Sequence, residues 1–318
     1  MTGPTTIPLV AREKFSDPDW TAKGERRATV GLKRLETLWF NTGTLCNIEC
    51  RNCYILSSPT NDALVYITAD DVVRYLDEIA ETSLPTREIA FTGGEPFMNP
   101  EMIAMAELAL SRGFEVLILT NAMRPMMRPA VREGLARLVA NYGDRLTLRV
   151  SLDHYGPALH DAERGEGTFD VSLDGMRWLR DIGARLAVAG RTLWDEDDAA
   201  MRAGFGALFA REGFAINPAD PAALVLFPEM DERAEVPEIT TACWGILGKS
   251  PADVMCSSAR MVVKRRGAPH PVVLACTLLA YSDAFELGQS LAEAARPVAL
   301  NHPHCAKFCV LGGAKCSA

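Results

Sequence analysis

The chain has 318 residues and a mass of 34.6 kDa, enough for one large domain or two modest ones. At 48% hydrophobic and 23% charged it can bury a core, which excludes disorder, and 24 Gly and 19 Pro exclude collagen-like or low-complexity character. Thirty-three basic against 41 acidic residues leave a net charge of −8, the wrong sign for a nucleic-acid or anionic-membrane surface.

The N-terminus lacks a basic-then-apolar signal, and no apolar run approaches bilayer length, so the sequence reads as cytoplasmic. Residues 1–35 are charged and aperiodic and read as an extension. A strand–helix alternation then begins. Leu38-Trp39-Phe40 opens a short strand, and Thr68 with Asp71 caps a helix carrying Val72, Val73, Leu76, Ile79 and Ala80 on one face. A second strand, Glu88-Ile89-Ala90-Phe91, ends in Thr92-Gly93-Gly94-Glu95-Pro96. Asn99 is expected to cap the next helix, with Pro100 first in it and Gly113 past its end. Phe114 to Thr120 reads as a buried parallel strand, closed by Asn121, and 129–141 as a helix.

The fourth strand, Arg145 to Asp153, alternates Leu146, Leu148, Val150 and Leu152 with Thr147, Arg149, Ser151 and Asp153. Because crossover helices cover the outer face of a βα series, the polar row points to a functional lumen. Helices at 169–183 and 197–213, with strands at 184–192 and 223–227, bring the series to about six βα units. Beyond 230 the alternation stops. Arg260–Arg266 and Pro271–Ala275 read as a hairpin, and the remainder is irregular. Three segments result: an extension (1–35), a βα body (36–230) and a cysteine-rich tail (231–318). Arg260, Lys264, Arg265 and Arg266 look like one solvated basic face of that hairpin.

Nine cysteines in a reducing compartment favour metal ligation over disulfides. Their placement is more telling than their number. Cys46, Cys50 and Cys53 form one group, the next 189 residues hold none, and Cys243, Cys256, Cys276, Cys305, Cys309 and Cys316 fall in the tail. Scattered core thiols would not segregate in this way. Three thiolates on one loop can hold three corners of a cubane and leave one iron open, which marks a site for substrate or cofactor. The structural alternative is a zinc site borrowing a fourth ligand.

Cys46-x₃-Cys50-x₂-Cys53 together with Gly93-Gly94-Glu95-Pro96 on the next βα unit resembles the radical S-adenosylmethionine (radical SAM) superfamily. The resemblance covers roughly residues 36–230 and implies a partial (β/α)6 TIM-like barrel. It implies a [4Fe–4S] cluster on Cys46, Cys50 and Cys53, whose open iron chelates the methionine end of SAM. One electron then yields a 5′-deoxyadenosyl radical that abstracts a substrate hydrogen. Glu95 stands where relatives contact the methionine amino group, beside Pro96, and Asn121 is a further candidate for cofactor binding. Ser151 and Asp153 match a segment contacting carboxylate and ribose, and Arg191 and Arg164 compete to pair with the carboxylate. Relatives often place an aromatic residue before the third cysteine. Here Asn52 stands there, with Tyr54 after Cys53 as the substitute.

The tail resembles the single-cluster "twitch" form of the family's SPASM-like auxiliary module, a small cysteine-rich hairpin followed by a helical segment. Cys256, Cys276, Cys309 and Cys316 are the favoured ligands of a second [4Fe–4S] cluster, with Cys305 close behind and Cys243 spare; His302 and His304 fit hydrogen-bond roles. Only about 35 residues precede the first strand, too few for a cobalamin-binding or leader-recognition domain. The expected function is hydrogen abstraction from a small metabolite, an oxidation or rearrangement, with flavodoxin or ferredoxin as electron donor. Alternatives are a leader-independent maturase acting on a short peptide or protein and, from another class, an iron–sulfur electron carrier or zinc-binding module. No nucleic-acid or membrane partner is expected.

Overall fold

The computed structural model describes residues 13–229, 231, 233 and 235–312. Its framework is one nine-stranded sheet. Strands β2 (Thr37–Asn41), β3 (Glu88–Thr92), β4 (Glu115–Thr120), β5 (Leu146–Ser151), β6 (Arg185–Thr192) and β7 (Leu224–Pro228) run parallel and in chain order across it. Ahead of them, β1 (Thr29–Val30) stands outside this sheet. Helices α1 (Ala69–Glu81), α2 (Met102–Ser111), α3 (Pro129–Tyr142), α4 (Pro157–Arg164), α5 (Thr168–Asp181) and α6 (Asp198–Glu212) form the crossovers.

Local chemistry explains the boundaries. Thr68 and Asp71 form a reciprocal capping box on α1. Asp197 caps α6 by accepting from the Ala200 N–H at 2.7 Å, and Gly213 ends it in the left-handed region. Alternate β2 side chains pack outward, where Phe40 stacks on Phe91 at 5.8 Å and meets Tyr75 edge-on at 6.0 Å.

Four expectations change. Asn99 does not cap α2: Glu95 first caps a short 3₁₀ turn, Pro96–Met98, and α2 starts at Met102. The Asn99 amide instead donates to the carbonyls of Thr42 and Ile67, tying three loops together. A separate helix, α4, fills what reads as a loop, because Pro157 sets its first turn after the strand.

The N-terminal stretch is no loose extension where it is described. β1 pairs antiparallel with β11 (Val298–Ala299), and fully buried Arg27 bonds Glu238 at 2.6 Å and the Leu300 carbonyl at 3.2 Å.

The hairpin also differs. After the short helix α7 (Cys243–Leu247) come β8 (Ala259–Val263), β9 (Val272–Leu274) and β10 (Glu286–Gly288), with β9 antiparallel to both of its neighbours, and β8 runs parallel beside β2. With neighbours on both edges and covered faces, β8 is buried throughout, and Arg260 with it. The supposed basic face is dispersed. Lys264 pairs with Asp71 at 2.8 Å, Arg265 with Glu286 at 3.1 Å, and Arg266 with Asp62. Among the described residues no helix is long and apolar enough to cross a membrane.

Candidate functional site

The carboxyl ends of β2 to β7 surround one cavity, the position where open parallel sheets take their ligands. About 140 Å³ of it is open to the centre of a water molecule. Cys46, Cys50, Cys53, Tyr54, Gly93, Gly94, Asn121, Ser151, Asp153, Arg164 and Arg191 all line it. Glu95 and Pro96 do not; they are buried behind the wall.

The glycine pair is demanded by a backbone crossing. The Gly94 N–H donates to the Gly43 carbonyl at 2.8 Å, and a Cβ on Gly94 would stand 2.2 Å from the Leu45 carbonyl oxygen. Gly93 holds φ +144°. The end of β3 is thereby pressed against the loop leading into Cys46.

Glu95 pins this crossing from below. Its carboxylate accepts from Phe97 N–H at 3.1 Å, Thr120 Oγ1 at 2.8 Å and Asn121 N–H at 2.8 Å. Burial outweighs these bonds and pushes its carboxyl up to about 7. Asn121 in turn donates from Nδ2 to Asn47 Oδ1 at 2.9 Å and approaches Cys46 Sγ at 3.9 Å. Its own backbone is fixed by Ser172 Oγ, which donates to the Asn121 carbonyl at 3.0 Å.

Opposite the thiols, Arg164 forks onto Asp153 through Nε and Nη2, both at 2.9 Å. Burial alone would raise Asp153, but the Arg164 charge and hydrogen bonds, helped by Arg191, hold it below the usual carboxylate range. His160 accepts the Asp153 N–H on Nδ1 at 3.2 Å, and burial with the nearby Arg164 drives its pKa down to about 4. The cysteine loop is bolted to α4. Asn52 Nδ2 donates to Glu163 Oε2 at 2.7 Å, and Arg191 Nη1 donates to the Asn52 carbonyl at 3.0 Å. Asn52 therefore serves as an anchor, and Tyr54 lines the cavity wall together with Trp39 and Phe227.

Sequence reading missed Trp39, Ser57, Glu163, Phe227, Thr277 and Leu278 as lining residues. Only Trp39 carried a signal: it alternates with Leu38 and Phe40, which puts it on the lumen side of β2. Thr277 and Leu278 also line a second, apolar cavity, which gathers Cys256, Cys276, Cys305 and Cys309. Cys243 stands apart and accepts from the Thr240 N–H at 3.3 Å. Cys316 lies outside the described residues. The rings of His302 and His304 meet edge-on at 4.7 Å.

Residues 40–200 match the radical SAM superfamily. The chain belongs to that superfamily. It is 29% identical over 162 residues to the antilisterial bacteriocin subtilosin biosynthesis protein AlbA of Bacillus subtilis, covering 49% of this chain and 34% of AlbA. It is 30% identical over 136 residues to the AdoMet-dependent heme synthase of Methanosarcina barkeri, covering 42% of this chain and 36% of that one. The chain thus spans about a third of these relatives. Streptococcus suis SuiB bound to S-adenosylmethionine shares the fold, with a TM-score of 0.58 at 12% identity, over 80% of this chain and 63% of SuiB. Radical SAM proteins are enzymes built around a [4Fe–4S] cluster and SAM.

The residues fit those groups. Three thiols share a cavity wall with a glycine cradle, Ser57 N–H donates to Cys53 Sγ at 3.3 Å, and buried Arg191 Nε has no hydrogen-bond partner among the described residues. Burial pushes the Cys46 thiol up to about 12 and raises Cys50, so metal must displace their protons. Among the described residues no three His, Cys, Asp or Glu side chains gather closely enough for a single metal ion. A cubane spreads its ligands over separate irons and does not require that convergence.

Proposed function

We propose that this chain is a radical SAM enzyme that holds its cluster on Cys46, Cys50 and Cys53, binds SAM across the strand ends, and abstracts a hydrogen from a small-molecule substrate. The observation that carries the reading is that the three thiols, the glycine pair and the Asp153–Arg164 fork share one cavity. Bound together, cluster and SAM supply the one-electron chemistry; the chain's residues bind, orient and exclude water. Gly93 and Gly94 let the backbone approach the methionine amino group, while Arg191 Nε and Arg164 Nη1 remain as donors for its carboxylate. Ser151 and Asp153 face the ribose, and Tyr54 takes the adenine side. Glu95 supports the cradle from behind. An electron donor such as flavodoxin or ferredoxin completes the system.

The tail, residues 231–318, is proposed to hold a second [4Fe–4S] cluster on Cys256, Cys276, Cys305 and Cys309, the four thiols that among the described residues share a cavity. Its twitch or SPASM-like character is supported by the hairpin and by the likeness to SuiB. Thr277 and Leu278 form the wall common to both cavities, so a cluster on Cys276 would stand next to the substrate cavity, where it could take an electron from the substrate or anchor it. A second reading, modification of a peptide, is favoured by the likeness to AlbA and by a SuiB structure with its precursor peptide SuiA.

Anaerobic reconstitution tests the proposal. About eight irons per chain, and 5′-deoxyadenosine formed from SAM after reduction, support it; colourless zinc protein inert toward SAM refutes it. Cys53→Ala is expected to abolish SAM cleavage, whereas Cys276→Ala lowers iron by about half and leaves some uncoupled cleavage.

A further inference from the structure

Arg260, the second residue of β8, is 1% exposed, and among the described residues no carboxylate pairs with it. Its partners are neutral carbonyls: Nη1 donates to Cys256 at 2.6 Å and Ala259 at 2.8 Å, and Nε donates to Ala294 at 2.9 Å. Nη2 is buried and finds no partner among the described residues. Arg27, the other fully buried arginine near the tail, shows the usual solution, with Glu238 at 2.6 Å. A buried cation without a counter-charge is among the costliest arrangements in a protein interior.

We infer that Arg260 is the built-in counter-charge of the auxiliary cluster and holds its reduction potential up. This rests on the proposed auxiliary site. Four thiolates make such a cluster a net anion, and reduction adds a further negative charge. A fixed positive charge behind the Cys256 ligand therefore favours the reduced form. Arg260 does not line the cavity, so it acts through the field and through the Cys256 backbone; it is a positioning and tuning residue.

The test uses the full chain with Cys46, Cys50 and Cys53 replaced by Ala, so that only the tail loads on anaerobic reconstitution with iron and sulfide. The redox titration is followed by EPR with dithionite as reductant. Arg260→Gln is expected to lower the reduced-to-oxidised ratio at fixed poise about tenfold, which is about 59 mV for a one-electron couple, while Arg260→Lys stays close to the parent. An unchanged ratio in a Gln variant that binds about four irons overturns the role of Arg260. A parent chain that retains no iron overturns the auxiliary-site reading instead. In metal-free protein, Arg260→Gln and Arg260→Met should fold, because each removes an uncompensated charge. If neither folds, the carbonyls alone stabilise the guanidinium and the inference fails.

Discussion

Arg164→Met isolates the fork that faces the cysteine loop. The Arg164 side chain is 13% exposed and that of Asp153 4%, so the substitution strands a carboxylate out of water. Breaking a buried, bidentate pair costs about 3–5 kcal/mol. Replacing both partners by apolar residues, Arg164→Met with Asp153→Leu, should cost less than Arg164→Met alone, since no uncompensated charge remains.

The pH dependence gives a second signature. In the parent, Asp153 has a folded pKa below its unfolded value, so its contribution is present above the unfolded pKa and lost as pH falls through the folded one. Without Arg164, burial, the largest single influence on Asp153, is opposed chiefly by Arg191. The folded pKa then moves above the unfolded value. Ionised Asp153 costs stability at neutral pH, and protonation relieves that cost on acidification. The gap between parent and variant should therefore be widest near pH 7 and narrow toward about pH 4. Urea unfolding of the metal-free protein under anaerobic reducing conditions measures it. A loss under about 1 kcal/mol, or a gap that widens on acidification, would refute the reasoning.

Gly94→Ala drives a Cβ to 2.2 Å from the Leu45 oxygen and 2.8 Å from the Thr44 oxygen, both backbone atoms that cannot step aside. A loss of about 3 kcal/mol is expected, against almost none for Gly31→Ala, which meets nothing within 4 Å; equal denaturation midpoints for the two would contradict the crossing. His160 has its folded pKa lowered to about 4, so it is neutral in the fold while the unfolded chain takes up a proton as pH falls. Stability should decline from about pH 6.5 to 4. His160→Asn, which keeps an acceptor for the Asp153 N–H, should flatten that decline in thermal melts across the range.

The two cysteine groups, the parallel strand order and the GGEP turn were legible because they are properties of spacing and period. Capping residues and alternating apolar faces act within one turn or one strand, so the Thr68 cap of α1 and the cavity-facing Ser151 at the end of β5 could be read directly. The start of α2 was misread because Asn99 satisfies carbonyls of Thr42 and Ile67, distant in sequence. Asn52 breaks the family habit of an aromatic residue at that position. Its structural purpose became visible only beside Glu163 and Arg191.

By itself the sequence determined the chemistry on offer: thiolates at cluster spacing, glycines for close backbone approach, and a series of buried parallel strands. Tertiary structure decided which groups meet. It set Arg164 on Asp153, sent Glu95 behind the wall, and drew Cys305 and Cys309 to Cys256 and Cys276. It also turned Arg260 from an apparent surface cation into a buried one, because β8 lies between β2 and β9. Burial and charge pairing depend on neighbours across the sheet, and one strand's own pattern does not contain them.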